Sequence, residues 1–261
     1  MGSAAAAVLG PEGVRETYGD LDAAYPLASV TKALVALACL VAVEEGALHL
    51  EDPAGPPGST VRHLLSHASG LAPDSRDVVA KPGARRVYSN AGFEVLGEHL
   101  ERVTGIRVAD YLHQAVCEPL GLRATELAGS PASGAKASVA DLAAVAAELL
   151  RPAGLLHQST VARLATVQFP GLTGVVPGFG RQPTNDWGLG VEIRDHKSPH
   201  WTGARNHPST YGHFGRTGTF VWVDPVAGLA CVALTDTEFE QWAKEAWPAL
   251  SDAVLATQAS A

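Results

Sequence analysis

Residues 28–46 read ASVTKALVALACLVAVEEG, and the rest of the predicted fold is organised around this stretch. Residues 33–43 are apolar without interruption, so the helix that they predict has no polar face and belongs in the interior. Gly46 is a suitable residue to end that helix. Ser29 and Lys32 stand at its N-terminal end, and positions i and i+3 share one face of a helix. A lysine that burial deprotonates is one way to make a neighbouring hydroxyl nucleophilic.

Both ends of the chain have the texture of strands. Residues 8–14 predict two antiparallel strands joined by a turn that contains glycine and proline. Toward the C-terminus, residues 187–193, 219–223 and 229–235 predict three strands, and residues 224–228 predict a hairpin turn between the last two. An amphipathic helix that carries several aromatic residues follows the last strand.

The middle of the chain, from Gly46 to about Phe169, is helical with short breaks. The helices predicted there are a short one capped by Thr60, one from Asn90 to Gly105, one over residues 108–116 that Pro119 ends, one from a capping box at Ser138 and Asp141 to Leu150, and one over residues 160–167. After them, residues 171–183 are rich in glycine and proline and predict a loop.

This order of strands, helices, strands and helix predicts an α+β fold. An antiparallel β-sheet is built from both chain ends and flanked by helices, with an all-helical lobe inserted between them. Residues 1–261 are predicted to form a single domain. Within it, residues 1–45 and 170–261 approximately form the α/β lobe, and residues 46–169 approximately form the helical lobe.

Composition narrows the class of protein. The chain has 261 residues, of which 46% are hydrophobic, which is enough for a sizeable core. Its formal net charge is -8 and no dense lysine or arginine run occurs, which argues against a nucleic-acid partner. The longest apolar run, residues 33–43, is too short to span a bilayer. The first residues lack the features of a signal peptide, so a cytoplasmic protein is expected as the sequence stands, or an exported one if a leader has been removed.

The cysteines and histidines are predicted to play structural parts. Cys39, Cys117 and Cys231 are far apart in apolar surroundings, which favours buried thiols over disulfides or a zinc site. His63 and His67 have the i, i+4 spacing of a metal-binding helix, but Leu64 replaces the glutamate that such a motif needs. Packing is therefore favoured over zinc. The histidines of the polar loop near residues 196–207 are predicted to be solvated, and they are His196, His200 and His207.

Two further clusters offer chemistry to Ser29 and Lys32. The first, residues 87–92, reads VYSNAG; its tyrosine is expected to lose a proton more easily near a lysine ammonium, and its asparagine can bond a substrate or Lys32. The second, residues 211–218, reads YGHFGRTG and leads into a strand. Its glycines let a substrate backbone approach, and its N–H groups together with that of Ser29 can form an oxyanion hole.

The three clusters together resemble a known family. Ser29-Val30-Thr31-Lys32, Tyr88-Ser89-Asn90 and His213-Phe214-Gly215 resemble the S-x-x-K, Y-x-N and third motifs of serine β-lactamases and penicillin-binding proteins. Y-x-N and H-x-G are similar to the class C branch, which includes D-Ala-D-Ala carboxypeptidases and related esterases. Residues 61–71, 88–105 and 187–190 resemble connecting segments of that family, in the same order. The resemblance implies a β-lactamase/transpeptidase-like fold.

The resemblance also implies roles for single residues. Ser29 is the acylated nucleophile, and Lys32 and Tyr88 share the general acid and base work. Asn90 positions Lys32 and the substrate, and His213 replaces the usual lysine of the third motif. The substrate and oxyanion site is expected to comprise Asn90, His213, Gly215 and Arg216, with the N–H groups of Ser29 and Arg216 on the oxyanion.

Two departures from the family pattern bear on the substrate. Phe214 stands where a small hydroxyl usually helps to hold a carboxylate, and its side chain has no such donor. The chain is also short for this branch, so loops that roof the pocket are expected to be trimmed. Both features favour a neutral ester or amide over efficient penicillin hydrolysis, although Arg205, Arg216 or His213 can still contact a carboxylate.

The predicted function is a serine hydrolase that forms an acyl-enzyme on Ser29 and acts on an ester, an amide or a β-lactam. No metal or cofactor is expected. The expected partner is a small-molecule or peptide acyl substrate, and the sequence leaves the oligomeric state open. Two alternatives stay open: a catalytically silent protein that binds a ligand in the same cleft, and an acyltransferase that uses the same acyl-enzyme. A Ser-His-Asp hydrolase is disfavoured because the chain has no G-x-S-x-G elbow.

Overall fold

The computed structural model describes residues 2–258, and its central element is the helix that follows Ser29. The helices in chain order are α1 Thr31–Glu44, α2 Val61–Leu65, α3 Asn90–Thr104, α4 Val108–Leu112, α5 Glu118–Leu120, α6 Val139–Leu150, α7 Gln158–Leu164 and α8 Gln241–Gln258. A short 3₁₀ turn, Ala28–Val30, precedes α1, and a π-helical turn, His113–Cys117, joins α4 to α5.

The strands form one large sheet and two small ones. In chain order they are β1 Ala4–Gly10, β2 Gly13–Tyr18, β3 Ala24–Pro26, β4 Glu126–Leu127, β5 Ala135–Ser138, β6 Gly174–Val176, β7 Gly180–Gln182, β8 Glu192–Ile193, β9 Tyr211–Gly215, β10 Thr219–Asp224 and β11 Leu229–Thr235. The large sheet has the order β2-β1-β11-β10-β9-β8 with antiparallel neighbours. Strand β1 pairs with β11, so the two ends of the chain meet as the sequence predicts.

The inner strands β10 and β11 of the large sheet are buried on both faces, which explains why they have no polar face in the sequence. In β10, Val221 and Val223 join the core around α1. Phe220 and Trp222 alternate with them and join a second, aromatic core that also contains Trp247 of α8. Because side chains alternate along a strand, a strand covered on both faces is apolar at every position. The α+β prediction, an antiparallel sheet with helices against it, is thus confirmed.

A small sheet holds the start of α1 in place. Its strand order is β3-β5-β4, and the sequence did not predict these strands. The Leu27 N–H donates to the carbonyl of Ala135 at 2.9 Å, and the Ala135 N–H donates to the hydroxyl of Thr31 at 3.0 Å. The segment 46–169 therefore contributes strands as well as helices, and its description as a separate lobe stays a prediction.

Three local predictions are wrong. Residues 171–183 form the β6–β7 hairpin rather than a loop. Of the predicted strand 187–193, β8 covers Glu192–Ile193, and the segment before it turns at Gly190, which has a φ of 79°. A Cβ on Gly190 would lie 2.1 Å from the Cβ of Ala36, so this turn crosses directly over α1. Finally, Pro119 lies within α5, which continues directly from the π-helical turn, so it does not end the helical run as predicted.

The cysteines are buried free thiols, as predicted. Burial raises the pKa of Cys39 and of Cys231 to about 12, which suppresses thiolate chemistry. Within residues 2–258, none of the helices combines the length and the apolar character that crossing a bilayer requires.

Candidate active site

Ser29 lies at the end of a constrained segment and faces a cavity. Its side chain is partly exposed, whereas Ala28 and Val30 on either side are buried. Ala28 has a φ of 44°, a left-handed conformation that a non-glycine residue seldom adopts. Such strain persists where the surrounding structure fixes the backbone, and here β5 and β9 do so. The hydroxyl of Thr219 donates to the carbonyl of Leu27 at 2.9 Å and fixes the residue before the strained one.

Lys32 is fully buried beside Ser29. Its Nζ lies 3.3 Å from the Ser29 Oγ, 2.7 Å from the Asn90 Oδ1 and 2.8 Å from the carbonyl oxygen of Ala132. Burial lowers the pKa of Lys32 to about 7, and the more distant carboxylates of Asp74 and Glu94 only partly oppose this. Near neutral pH a large share of the amine is therefore uncharged, as the sequence analysis anticipates.

Asn90 connects Lys32 to an acid that the sequence analysis missed. Its amide Nδ2 donates to the Asp74 Oδ1 at 2.7 Å, and its Oδ1 accepts from Lys32. A carboxylate accepts hydrogen bonds and donates none when ionised, so Asp74 fixes which end of the amide faces Lys32. Asp74 lies in an irregular loop 16 residues before Asn90, and no periodic pattern marks it.

Tyr88 packs against Lys32 and is protonated at neutral pH. The Lys32 Nζ lies 4.7 Å from the centre of the Tyr88 ring. The expectation that the lysine eases ionisation of this phenol is wrong, because burial raises the pKa of Tyr88 well above its usual range and the bond with Ser29 only partly offsets this. The phenol is therefore protonated throughout the neutral range, and in that form it donates a hydrogen bond.

His67 holds the chain on both sides of Tyr88. Its carbonyl accepts the Val87 N–H at 2.9 Å, its Nδ1 accepts the Ser89 N–H at 3.1 Å, and its ring centre lies 4.4 Å from that of Tyr88. His67 itself has a φ of 56° and is 1% exposed. Because Nδ1 accepts a backbone N–H, the ring proton is on Nε2, and burial keeps the pKa of His67 well below its usual range. The packing role favoured over zinc is consistent with these contacts.

The third motif contributes a neutral histidine. His213 is 3% exposed, and burial lowers its pKa to about 3, with Lys32 adding to the effect. Its Nδ1 lies 2.8 Å from the carbonyl oxygen of Phe214, which accepts only, so this nitrogen carries the proton. His213 is therefore uncharged, unlike the lysine that the resemblance leads one to expect at this position.

Gly215 lets β9 approach the segment before Ser29. A Cβ at this position would lie 2.2 Å from the carbonyl oxygen of Leu27 and 2.5 Å from the Oγ1 of Thr219. Close backbone approach requires glycine here. The role of Gly215 in substrate binding stays a prediction.

The cavity in front of Ser29 has a volume of about 290 Å³. It brings together the predicted residues Ser29, Tyr88, Asn90, His213 and Arg216. Arg205, proposed as a possible carboxylate contact, does not belong to its lining. The remaining lining residues are largely apolar or aromatic and are Pro73, Asp74, Pro177, Gly178, Trp187, Glu192, Phe214 and Phe239.

Phe214 belongs to an aromatic cluster behind the cavity. Its ring centre lies 5.3 Å from that of Phe239, 5.7 Å from that of Trp201 and 5.8 Å from that of Trp247. This cluster packs on the sheet face opposite α1. The bulky residue of the third motif is therefore explained by packing.

A buried ion pair forms one wall of the site, and the sequence analysis missed it. The Glu192 carboxylate lies 3.1 Å from the Lys197 Nζ and 3.3 Å from the His200 Nε2, and it accepts from the Trp201 indole at 2.7 Å. Burial opposes ionisation of Glu192, but these partners outweigh it and hold the carboxyl pKa far below its usual range. His200 is 7% exposed, so the prediction that it is solvated is wrong. The prediction rests on the polar texture of the loop, but the tertiary structure covers His200.

Across residues 2–258, no three histidine, cysteine or acidic side chains are grouped so that they could hold a metal ion.

The chain is similar to known β-lactamases in sequence and in structure. A family model described as Beta-lactamase matches residues 2–255. The crystal structure of a β-lactamase from Mycobacterium bovis superposes with a TM-score of 0.96 at 57% identity, covering 98% of this chain and 95% of that one.

Two curated relatives are similar over shorter stretches. A penicillin-binding protein of Bacillus subtilis is 29% identical in an alignment that covers 40% of this chain and 30% of the relative. Esterase EstB of Burkholderia gladioli is 30% identical in an alignment that covers 39% of this chain and 38% of the relative. The matched stretches thus span about a third of the length of these two relatives.

Proposed function

The chain belongs to the beta-lactamase family, and we propose that it is a serine hydrolase that forms an acyl-enzyme on Ser29. Its substrates are esters, amides or β-lactams, with a neutral ester or amide favoured. Membership in the class C branch stays a prediction.

The observation that carries the proposal is the hydrogen-bond geometry of Lys32. A neutral amine has two N–H donors and one lone pair. The Asn90 Oδ1 and the Ala132 carbonyl are acceptors only, and they take the two protons at 2.7 and 2.8 Å. The lone pair is then left for the Ser29 hydroxyl at 3.3 Å. With a pKa of about 7, Lys32 is a competent general base near neutral pH.

Acylation follows from this arrangement. The Ser29 Oγ attacks the substrate carbonyl carbon while its proton passes to the Lys32 Nζ. The N–H groups of Ser29 and Arg216 stabilise the oxyanion of the tetrahedral intermediate. Tyr88 donates its phenolic proton to the leaving oxygen or nitrogen as that bond breaks, and Lys32 returns a proton to Tyr88. The high pKa of Tyr88 suits the acid step, because the phenol is protonated when the intermediate collapses.

Deacylation repeats the sequence with water. Water attacks the ester carbonyl of the acyl-enzyme and gives its proton to Lys32. The bond to the Ser29 Oγ then breaks, and the serine oxygen recovers a proton from the lysine. The acid product leaves, and the free enzyme is regenerated.

The third motif supports a neutral group next to the reacting carbonyl. His213 is uncharged at neutral pH and Phe214 has no donor in its side chain. Of the described residues that line the cavity, Arg216 alone is an arginine or lysine, and its guanidinium lies 3.6 Å from the Glu238 carboxylate. Binding of the carboxylate adjacent to a β-lactam ring is therefore weakly supported.

Intact-mass analysis tests the proposal. Wild-type protein exposed to a fluorophosphonate and to p-nitrophenyl butyrate is expected to gain one phosphonyl or butyryl group, and Ser29→Ala none. Ser159→Ala, an exposed serine on α7, is the matched control and should label like wild type. Equal labelling of Ser29→Ala and wild type would refute the proposal.

A further inference from the structure

A groove with a volume of about 670 Å³ adjoins the cavity that contains Ser29. The two share Pro73, Tyr88 and Pro177 as lining residues. A substrate whose carbonyl lies at Ser29 can therefore continue past Tyr88 into the groove. The groove opens between the segment before α3 and the β6–β7 hairpin.

The walls of the groove are mainly apolar. Val79 and Val175 line it and are 45% and 54% exposed. Val87 and the two shared prolines extend the same surface. Apolar side chains that face solvent in a groove gain free energy when an apolar ligand covers them.

Two arginines give the groove a positive charge. Arg181 lines it and is exposed, and its guanidinium makes no hydrogen bond or ion pair with other residues in the range 2–258. Arg85 also lines it and donates from Nη2 to the Val79 carbonyl at 3.0 Å, which leaves further N–H groups for a ligand. No aspartate or glutamate lies among the described residues that line this groove.

A third arginine in the lining serves the structure instead. Arg86 is 2% exposed, and it donates to the carbonyl oxygens of Ser66, Gln168 and Asn185 at 2.6, 2.7 and 3.0 Å. Its guanidinium ties the segment that carries Tyr88 to the segments that contain these three carbonyls. The groove is thus a fixed surface, and Arg85 and Arg181 are its available charges.

From these contacts we propose that the groove binds the anionic end of an elongated acyl substrate whose body is apolar. The apolar chain covers Val79 and Val175, and a terminal carboxylate meets the guanidinium groups of Arg85 and Arg181, whose N–H groups match carboxylate geometry. The anionic end takes no part in the bond changes at Ser29. This inference rests on the proposed function for the reacting end only.

A binding measurement tests the groove without catalysis. Calorimetric titration with octanedioic acid monoamide is compared with octanamide, on wild type, Arg181→Gln and Arg85→Gln. The monoamide is expected to bind more tightly than octanamide to wild type, and roughly three- to tenfold more weakly to each variant, as for a partly exposed ion pair. Arg123→Gln, an exposed arginine outside both cavities, is the control and should bind like wild type.

A kinetic arm uses the p-nitrophenyl monoester of octanedioic acid beside p-nitrophenyl octanoate. The variants are expected to lower kcat/KM for the acid-ended ester by the same three- to tenfold factor and to leave the neutral ester unchanged. Equal binding of both amides to wild type, or no effect of either variant on binding, overturns the groove proposal even where both esters turn over. Selective binding without turnover of any ester supports the groove and overturns the proposed function.

Discussion

Two nearly inaccessible lysines, Lys32 and Lys197, each contact residues that line the catalytic cavity, but their surroundings differ. Lys32 contacts a neutral amide, a backbone carbonyl and a serine hydroxyl, and its pKa falls to about 7. Lys197 contacts the Glu192 carboxylate at 3.1 Å and the carbonyl of Asp186 at 3.0 Å. Both side chains are buried away from water, but of the two only Lys197 directly contacts a carboxylate.

The difference shows how burial produces either a base or a structural ion pair. Desolvation alone disfavours the ammonium form, so an amine among neutral acceptors becomes a base. A lysine in direct contact with a carboxylate forms an ion pair instead, and such a pair is a fixed part of the wall. A buried lysine thus serves proton transfer at position 32 and packing at position 197, and its nearest hydrogen-bond acceptor decides which.

The largest expected effect is on catalysis in Lys32→Met. Removing the base without leaving a buried charge should lower kcat/KM for p-nitrophenyl butyrate by about 10³-fold. Circular dichroism should show a folded protein, since methionine fills similar space and no charge is left unpaired. Activity within a factor of ten of wild type would contradict the role of Lys32.

The next effect is on stability in Lys197→Met. This change leaves the Glu192 carboxylate buried without its main partner, and it should lower the free energy of unfolding by about 3 to 5 kcal/mol in urea titrations. The double variant Glu192→Gln/Lys197→Met should recover much of that loss, because it also removes the orphaned charge. A Lys197→Met protein as stable as wild type would mean that the two lysines do not differ as described.

A smaller loss is expected when the positioning of Tyr88 is disturbed. His67→Ala removes the acceptor of the Ser89 N–H and the ring against Tyr88, and kcat should fall about 10- to 100-fold with KM little changed. His67→Asn should recover part of kcat, because asparagine tolerates the left-handed backbone and its oxygen can accept the same N–H. Equal loss in both variants, or a change confined to KM, would argue against a positioning role.

The smallest effect is a shift of the pH profile in Asp74→Asn. In wild type the base is the deprotonated Lys32, so kcat/KM should rise with pH, level off above about 7, and fall about tenfold per unit below it. The Asp74 charge raises the lysine pKa, so its removal should move the acid limb to lower pH. Asparagine can still accept from Asn90, which keeps the amide oriented. If the acid limb stays in place or moves to higher pH, it does not report the titration of Lys32.

The surroundings of Lys32 could largely be predicted from the sequence. The uninterrupted apolar run predicts a central helix, and the spacing of Ser29 and Lys32 places them together. Tyr88 and Asn90 precede or begin a helix with a clear amphipathic pattern, and they do line the same cavity. The prediction that the Tyr88 pKa is lowered is wrong, because it takes account of a nearby lysine ammonium and not of the burial of the phenol.

The surroundings of Lys197 could not be predicted from the sequence. Glu192 lies in what was predicted as a longer strand, and His200 lies in a loop of polar texture. Neither pattern shows that Trp201 and the sheet cover both side chains. Asp74 and the Ala132 carbonyl were also missed, since a loop carboxylate has no periodicity and a backbone carbonyl has no residue type that would mark it.

By itself the sequence determined the nucleophile segment, the order of its partner motifs and an antiparallel sheet joining both chain ends. These follow from local spacing and from which residues must leave water. Only the tertiary structure decided the charge states, because the pKa of a buried amine depends on acceptors that arrive from distant loops. Burial among the neutral acceptors Asn90 and Ala132 makes Lys32 a base, contact with Glu192 places Lys197 in an ion pair, and burial makes His213 neutral.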